Sequence, residues 1–335
     1  MSSAWRRLAW CTPLVALLFQ WACGTGGGAD AGEQDVGETL RPPFVDTYDE
    51  PDHADVSADV SADVSEDTAN GRVLDPVAIR ACFDDLSCDE RFVVAHRGVR
   101  AEGVPENSLA SLHLAAEAGV PMVEVDIRRS ADGVHFLLHD TTLDRTTTGS
   151  GEARALSWAE ISTATLLRAE AGNPDAAQIP TLEQALALAA ELGLALYLDV
   201  KDADPASFVT LLERYDAFDW ALVRRGVPFL QEVRALAPSA WVMPPVLSVE
   251  EATGARDALG GALRIVELGK PTADPALTAA LVEAGFVVQQ DVMVGGDALF
   301  LARGLTRGWD AYLEAGVRLL QSDAAPGLVT YLAAP

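Results

Sequence analysis

Basic residues are scarce in this chain. Only 24 Lys and Arg stand against 50 Asp and Glu, a formal charge of -26 over 335 residues. That balance excludes the ordinary nucleic-acid binder, which meets phosphates with a basic face. It equally disfavours adhesion to anionic lipid through a polybasic patch. Cysteine is nearly missing too, with four in all. Cys82 and Cys88 have no second pair nearby, so a cysteine metal site is disfavoured and a local disulfide is expected. A long hydrophobic run is the third absence: the apolar stretch Leu8 to Trp21 is too short for a comfortable membrane span.

What that stretch does resemble is an export signal. Arg6 and Arg7 supply a positive start, and the apolar run gives way to Ala22, Cys23 and Gly24. Cleavage before Cys23 with lipid attached to its thiol makes a bacterial lipoprotein; a free secreted protein and an uncleaved anchor are the alternatives. Thirteen Asp or Glu and one basic residue, Arg41, then occupy Gly24 to Asn70, with an Ala-Asp-Val-Ser repeat around Asp55 to Ser65. Such composition buries too little to offset its ordering entropy, so a disordered acidic tether is expected. The organisation expected is a signal peptide over 1–22, a lipid-anchored acidic linker over 23–75, and one folded domain over 76–335. The implied location is the cell envelope, facing the periplasm or the surface, with membrane contact through the lipid anchor only.

From Phe92 onward, short β-branched or Leu-rich runs alternate with Ala- and Leu-rich amphipathic stretches. Strands are predicted at Phe92–Ala95, Met122–Ile127, His135–Leu138, Leu194–Val200, Trp220–Val223, Trp241–Leu247, Leu263–Leu268, Phe286–Gln290 and Arg318–Gln321. Helices are predicted between them, among others at Ser108–Ala118, Leu182–Leu192, Pro205–Arg214 and Pro275–Ala284. This α/β alternation over about 240 residues predicts a (β/α)8 TIM barrel. Nine candidate strands for eight places leave one as a hairpin partner or a misreading. A doubly wound open sheet is the alternative, but the Gly-rich phosphate fingerprint it often carries is missing.

Polar residues recur where these strands end, which is where barrel enzymes keep their chemistry. The first strand runs into His96-Arg97-Gly98. Glu124 and Asp126 share one strand face, as do Asp199 and Lys201, by their i,i+2 spacing. The third candidate strand leads into His139-Asp140, and the last into Gln321-Ser322-Asp323, where Asp323 reads equally as a cap or a site residue. Three carboxylates aimed at one barrel mouth call for a cation, and hard oxygen ligands suit Mg2+ or Ca2+. Two histidines on different strands divide proton transfer between base and acid. Arg97 and Lys201 add positive charge where a phosphate would lie. His113 and His135 read as structural or surface residues, and Trp241 and Trp309 as core.

The run His96-Arg97-Gly98, then Pro105-Glu106-Asn107-Ser108, Glu124-Val125-Asp126, and His139-Asp140-Thr141-Thr142-Leu143-Asp144-Arg145-Thr146-Thr147, resembles the glycerophosphodiester phosphodiesterase family. Leu156-Ser157-Trp158-Ala159-Glu160, Ile179-Pro180-Thr181-Leu182-Glu183, Asp199-Val200-Lys201 and a closing segment from Gly316 to Asp323 and Pro326 continue the likeness in order. The resemblance spans roughly Phe92 to Tyr331 and implies a barrel of the PLC-like phosphodiesterase type. It makes His96 and His139 the general acid and base, Arg97 and Lys201 phosphate ligands, and Glu106 a support for the site. Glu124, Asp126 and Asp199 would hold one divalent cation, Ca2+ or Mg2+. The implied reaction uses the glycerol 2-hydroxyl as internal nucleophile and yields glycerol 3-phosphate and an alcohol.

Two stretches depart from the family pattern. Asp199 stands where Glu is frequent. Phe286 to Met293 reads Phe-Val-Val-Gln-Gln-Asp-Val-Met in place of a Trp-Thr-Val-Asn strand, followed by Gly295-Gly296-Asp297. The alcohol portion of the substrate would be read in that region. Two alternatives therefore stand beside a glycerophosphodiesterase acting on a small-molecule phosphodiester. One is a lysophospholipid or phosphoinositide-type phosphodiesterase on the same barrel; the other is a catalytically weak lipoprotein that binds phosphodiester headgroups. No obligate protein partner is evident.

Overall fold

A computed structural model of the chain describes residues 75–334. The expected signal peptide, Cys23 and nearly all of the acidic linker lie outside the described residues. Among the described residues ten strands form, β1 (Phe92–Ala95), β2 (Met122–Arg129), β3 (His135–Leu137), β4 (Ala195–Val200) and β5 (Ala221–Arg224), then β6 (Val242–Met243), β7 (Pro245–Val246), β8 (Ile265–Leu268), β9 (Val287–Asp291) and β10 (Leu319–Ser322). Their order in the sheet is β6-β5-β4-β2-β1-β10-β9-β8-β7, with every one of these pairings parallel. The two ends of that order, β6 and β7, are separated only by Pro244. They are one stave, interrupted because proline has no N–H to give the ladder. The carbonyl of Pro244 still accepts from the Glu267 N–H at 3.1 Å. The sheet thus returns on itself as a TIM barrel. The ninth candidate strand resolves as β3, which pairs antiparallel with β2, Ile127 opposite Leu137.

Helices fill the crossovers. Leu182–Leu192 begins in a capping box made by Thr181 and Gln184 and ends at Gly193, whose φ of 67° is left-handed. Pro205–Arg214 and Pro275–Glu283 each place Pro in the first turn behind an Asp cap, Asp204 and Asp274. Ser108 caps Leu109–Glu117 by accepting from the Ser111 N–H at 3.1 Å.

Side chains alternate across the barrel wall with the period of two that strands impose. One face, including Val93, Val125, Leu196, Leu198, Val223, Val266, Val288 and Leu320, packs against the surrounding helices. The inner face starts with Phe92, Met122, Ala195, Leu222, Trp241, Ile265, Val287 and Leu319. The helix Pro76–Asp84 plugs that starting end with Ile79 and Phe83, the Phe83 ring meeting Phe92 edge-on at 5.1 Å. Cys82 and Cys88 are bonded at the foot of this plug, their Cα atoms 5.4 Å apart. Trp241 and Trp309 are buried.

Toward the ends of most staves, the same inward positions change character. Apolar side chains give way to Glu124 and Asp126 on β2, Asp199 on β4, Arg224 on β5, Glu267 on β8, Gln289 and Asp291 on β9, and Gln321 on β10. The barrel is therefore oily where its strands start and charged where they end.

Candidate active site

The His-Arg-Gly and Pro-Glu-Asn-Ser segments fold onto each other at the end of β1. Arg97 turns left-handed at φ 58° and Asn107 at φ 53°. That turn aims the Arg97 N–H at Glu124 Oε2, 2.8 Å away, while the Arg97 carbonyl accepts from the Asn107 N–H at 3.0 Å. Gly98, at φ 84°, has no room for a side chain: a Cβ there would lie 2.1 Å from Ser111 Oγ. Asn107 grips Asp126 twice, donating from Nδ2 to Oδ2 at 2.9 Å and accepting the Asp126 N–H at 3.0 Å. The motif is thus a clamp that fixes two carboxylates of β2.

Register brings the third. Asp126 lies opposite Asp199 across β2 and β4, and Asp199 opposite Arg224 across β4 and β5. Glu124, Asp126 and Asp199 are all buried and offer oxygens within 4.8 Å of one another. Lys201 Nζ donates to Asp199 Oδ2 at 2.7 Å and lies 3.2 Å from Asp126 Oδ1. Arg224 bonds Asp199 Oδ1 at 3.0 Å and holds Glu267 with two hydrogen bonds, at 2.5 and 3.2 Å. Arg97 spans Glu106 at 3.0 Å and Asp126 at 3.4 Å.

These charges do not settle evenly. Burial pushes Asp126 up, but Lys201, Arg97 and His139 outweigh it and hold the carboxyl at about 2. Glu124 moves the other way: burial, then the charges of Asp126 and Asp199, raise it well above the usual carboxylate range. The residues present therefore leave the triad short of positive charge at Glu124. Three buried oxygen donors with a charge deficit fit a hard divalent cation.

Both expected histidines reach this mouth, each backed by a carboxylate. His96 Nδ1 lies 2.7 Å from Asp323 Oδ1, which also accepts from Arg100 at 2.6 Å. Burial pushes Asp323 up, but the His96 hydrogen bond and the His96, Arg100 and Arg97 charges hold it at about 2. His139 Nδ1 lies 2.8 Å from Asp140 Oδ1. Arg145 bonds both oxygens of Asp140, at 2.7 and 3.0 Å, and reaches Glu106 at 2.9 Å. An ionised carboxylate only accepts, so each Nδ1 carries the proton and each Nε2 is left for chemistry. Glu106 joins the two halves of the mouth, between Arg97 and Arg145.

Sequence reading missed Arg224 and Glu267. Arg224 opens an Arg-Arg pair after the apolar run Ala221 to Val223, and Glu267 interrupts the run Ile265 to Leu268; a charge placed so on an interior stave was the available signal. Asp140 and Arg145 were visible in their motif without a role, and Asp323, undecided between cap and site, is the partner of His96. The other two histidines among the described residues stand apart from these pairs: His113 is part-buried on the helix Leu109–Glu117, and burial pushes His135 down to about 4.

Residues 96–225 match the model of the Glycerophosphoryl diester phosphodiesterase family. The resemblance read from the motifs is borne out. Glycerophosphodiester phosphodiesterase 1 of Mus musculus is 38% identical over 138 residues, 40% of this chain and 41% of that protein. A probable glycerophosphodiester phosphodiesterase 1 of Mycobacterium tuberculosis is 41% identical over 78 residues, 23% of this chain and 28% of that protein. The chain thus spans less than half the length of these curated relatives. Structural likeness reaches further along the barrel. A glycerophosphoryl diester phosphodiesterase from Parabacteroides distasonis superposes with a TM-score of 0.66 at 21% identity, over 78% of this chain and 92% of that one. A phosphodiesterase from Oleispira antarctica, solved with the product sn-glycerol-3-phosphate, gives a TM-score of 0.60 at 25% identity, over 72% and 97%.

Proposed function

We propose that this chain is a metal-dependent phosphodiesterase that hydrolyses glycerophosphodiesters to glycerol 3-phosphate and an alcohol. One observation carries the reading: two carboxylate-backed histidines and a buried acidic triad with Lys201 converge on one barrel mouth. A Ca2+ or Mg2+ ion held by Glu124, Asp126 and Asp199 would stabilise negative charge on the phosphoryl oxygens. Lys201 and Arg97 add fixed positive charge beside it.

The two Nε2 atoms divide the proton work. One takes the proton of the glycerol 2-hydroxyl as its oxygen bonds phosphorus; the other, entering the step as an imidazolium, gives its Nε2 proton to the departing alkoxide as that P–O bond breaks. The product of this step is a cyclic glycerophosphate. Water then adds with the two histidine roles reversed, opening the ring to glycerol 3-phosphate. Asp323 and Asp140 hold the rings in the tautomer that leaves each Nε2 available, and each stabilises its imidazolium when it forms.

The alcohol is read on the β9–β10 side, where Gln289, Asp291 and Gln321 face inward. That lining motivates including lysophospholipids and inositol-type headgroups among the substrates. The small-molecule phosphodiester is the partner; neither nucleic acid nor a second protein is part of the reading. Arg6 and Arg7, the apolar run and Cys23 support an exported, lipid-anchored protein at the cell envelope.

The test is glycerol 3-phosphate release from glycerophosphocholine and glycerophosphoethanolamine with EDTA, Mg2+ or Ca2+, beside His96→Ala. Release only with metal, reduced on the order of 10²-fold or more in the variant, is expected. A folded protein that binds a divalent ion but releases no glycerol 3-phosphate from either substrate would sink the assignment. Turnover confined to lysophospholipids would move it to lipid substrates.

A further inference from the structure

We infer that Asp297 is a positioning residue for His96, acting through the backbone and side chain of Asp323. The inference rests on the hydrolytic reading of the site but concerns a residue outside its catalytic set.

Asp297 closes a wide turn, Met293–Asp297, that follows β9. It is 1% exposed. Its carboxylate accepts three hydrogen bonds: Trp309 Nε1 at 2.8 Å and Ser322 Oγ at 2.9 Å on Oδ1, and the Asp323 N–H at 2.6 Å on Oδ2. All three donors are neutral, so the side chain is not held there as half of a salt bridge. Two of the three come from consecutive residues at the end of β10. The third comes from the helix Arg307–Ala315, which is thereby tied to the same point.

The local sequence serves this approach. A Cβ on Gly296 would lie 2.2 Å from Trp309 Cδ1, and one on Gly295 would lie 2.7 Å from Tyr312 Oη. The two glycines therefore let the turn press against the helix, leaving Asp297 beneath the end of β10. The Val292 N–H bonds the Gln321 carbonyl at 2.9 Å, fixing the start of the turn to the same strand. What leaves that strand next is Asp323, whose Oδ1 holds His96 Nδ1.

A carboxylate is required because both of its oxygens face donors. In Asp297→Asn, Oδ1 can stay against Trp309 and Ser322, but the new amide then meets the Asp323 N–H donor to donor. Flipping the amide moves the conflict to Trp309. The first arrangement shifts the end of β10 directly; the second pushes the turn off the helix and moves the acceptor that holds the Asp323 N–H. Productive geometry is sensitive to displacements of this kind, since about 1 Å of misplacement costs on the order of 10²-fold in rate.

The test combines kinetics with a readout that needs no turnover. The full chain is prepared as wild type, Asp297→Asn, Asp323→Asn and the double variant. Expected is a kcat lower by roughly 10- to 100-fold in Asp297→Asn with KM within about twofold. Asp297→Asn should then cost little more once Asp323 is already Asn, because both act on one ring. In the unreacted protein, the proton NMR signal of the hydrogen-bonded His96 Nδ1–H should move upfield or vanish in Asp297→Asn. Unchanged kcat, a loss appearing only in KM, or effects that multiply in the double variant would overturn the inference, as would an unmoved Nδ1–H signal. If wild type lacks turnover altogether, the hydrolytic reading fails while the NMR arm still decides the positioning. Should Asp297→Asn fail to fold, Ser322→Ala removes one of the three donors and should shift the same signal; no shift refutes the link.

Discussion

Replacing Lys201 by Met should destabilise the protein strongly without metal and much less with it. The reason is the company Lys201 keeps: its Nζ lies 2.7 Å from Asp199 and 3.2 Å from Asp126, in a buried site that also contains Glu124. Burial pushes the Lys201 pKa down, but Asp199 and Asp126 outweigh it and raise it, so the ammonium is held charged. Met keeps the volume and removes the charge. Breaking a buried pair from one side costs about 3–5 kcal/mol, because the stranded partner stays desolvated. For a domain of this size that corresponds to a melting temperature lower by roughly 6–20 °C. A divalent ion at the triad offsets the missing charge, and ligand at a hundred times its Kd adds about 2.7 kcal/mol. The assay is thermal unfolding of wild type and Lys201→Met in EDTA and in saturating Ca2+ or Mg2+. A variant as stable as wild type in EDTA, or a deficit that metal leaves untouched, would refute the electrostatic account of the triad.

Acid should weaken the fold through Asp323. Its folded pKa, about 2, lies below its ordinary value of 3.8, so its contribution is complete above about pH 4 and is lost as pH falls through about 2. The contribution is on the order of 2 kcal/mol, and Asp323→Asn should flatten unfolding free energy measured across that window; an unchanged slope would count against it. At the opposite end of the barrel, Phe83→Ala should cost about 3–5 kcal/mol in denaturant unfolding, since Phe83 is fully buried against Phe92. Its kcat, measured where the variant is still folded, should match wild type; a large kcat loss would mean the two ends are coupled.

How much of this could be read from the sequence depended on how local each determinant is. The helices Leu182–Leu192 and Pro205–Arg214 were legible to the residue, because Thr181, Gly193, Asp204 and Pro205 mark their ends within a turn. The split of one stave at Pro244 and the antiparallel turn of β3 were not, since a strand-length apolar run says nothing about its neighbours. The clamp of Arg97, Glu106 and Asn107 on β2 was visible as a motif, and its geometry explains why those residue types recur together. Arg224 and Glu267 escaped because their pairing spans 43 residues of sequence and reaches across the β6–β7 stave that lies between β5 and β8. Asp323 stayed undecided between cap and site for the same reason: its partner His96 is 227 residues away. The Gly295-Gly296-Asp297 segment read only as a departure from pattern; the packing of Trp309 and Tyr312 gives it a physical purpose.

The most direct test of the central claim is to follow glycerophosphocholine by phosphorus NMR with the full chain, with and without a divalent ion. The account predicts that, with metal only, the diester signal gives way to that of glycerol 3-phosphate. Phosphocholine as the product would place the cleaved bond on the wrong side of phosphorus. An unchanged diester signal in the presence of Ca2+ and Mg2+ would contradict the account outright.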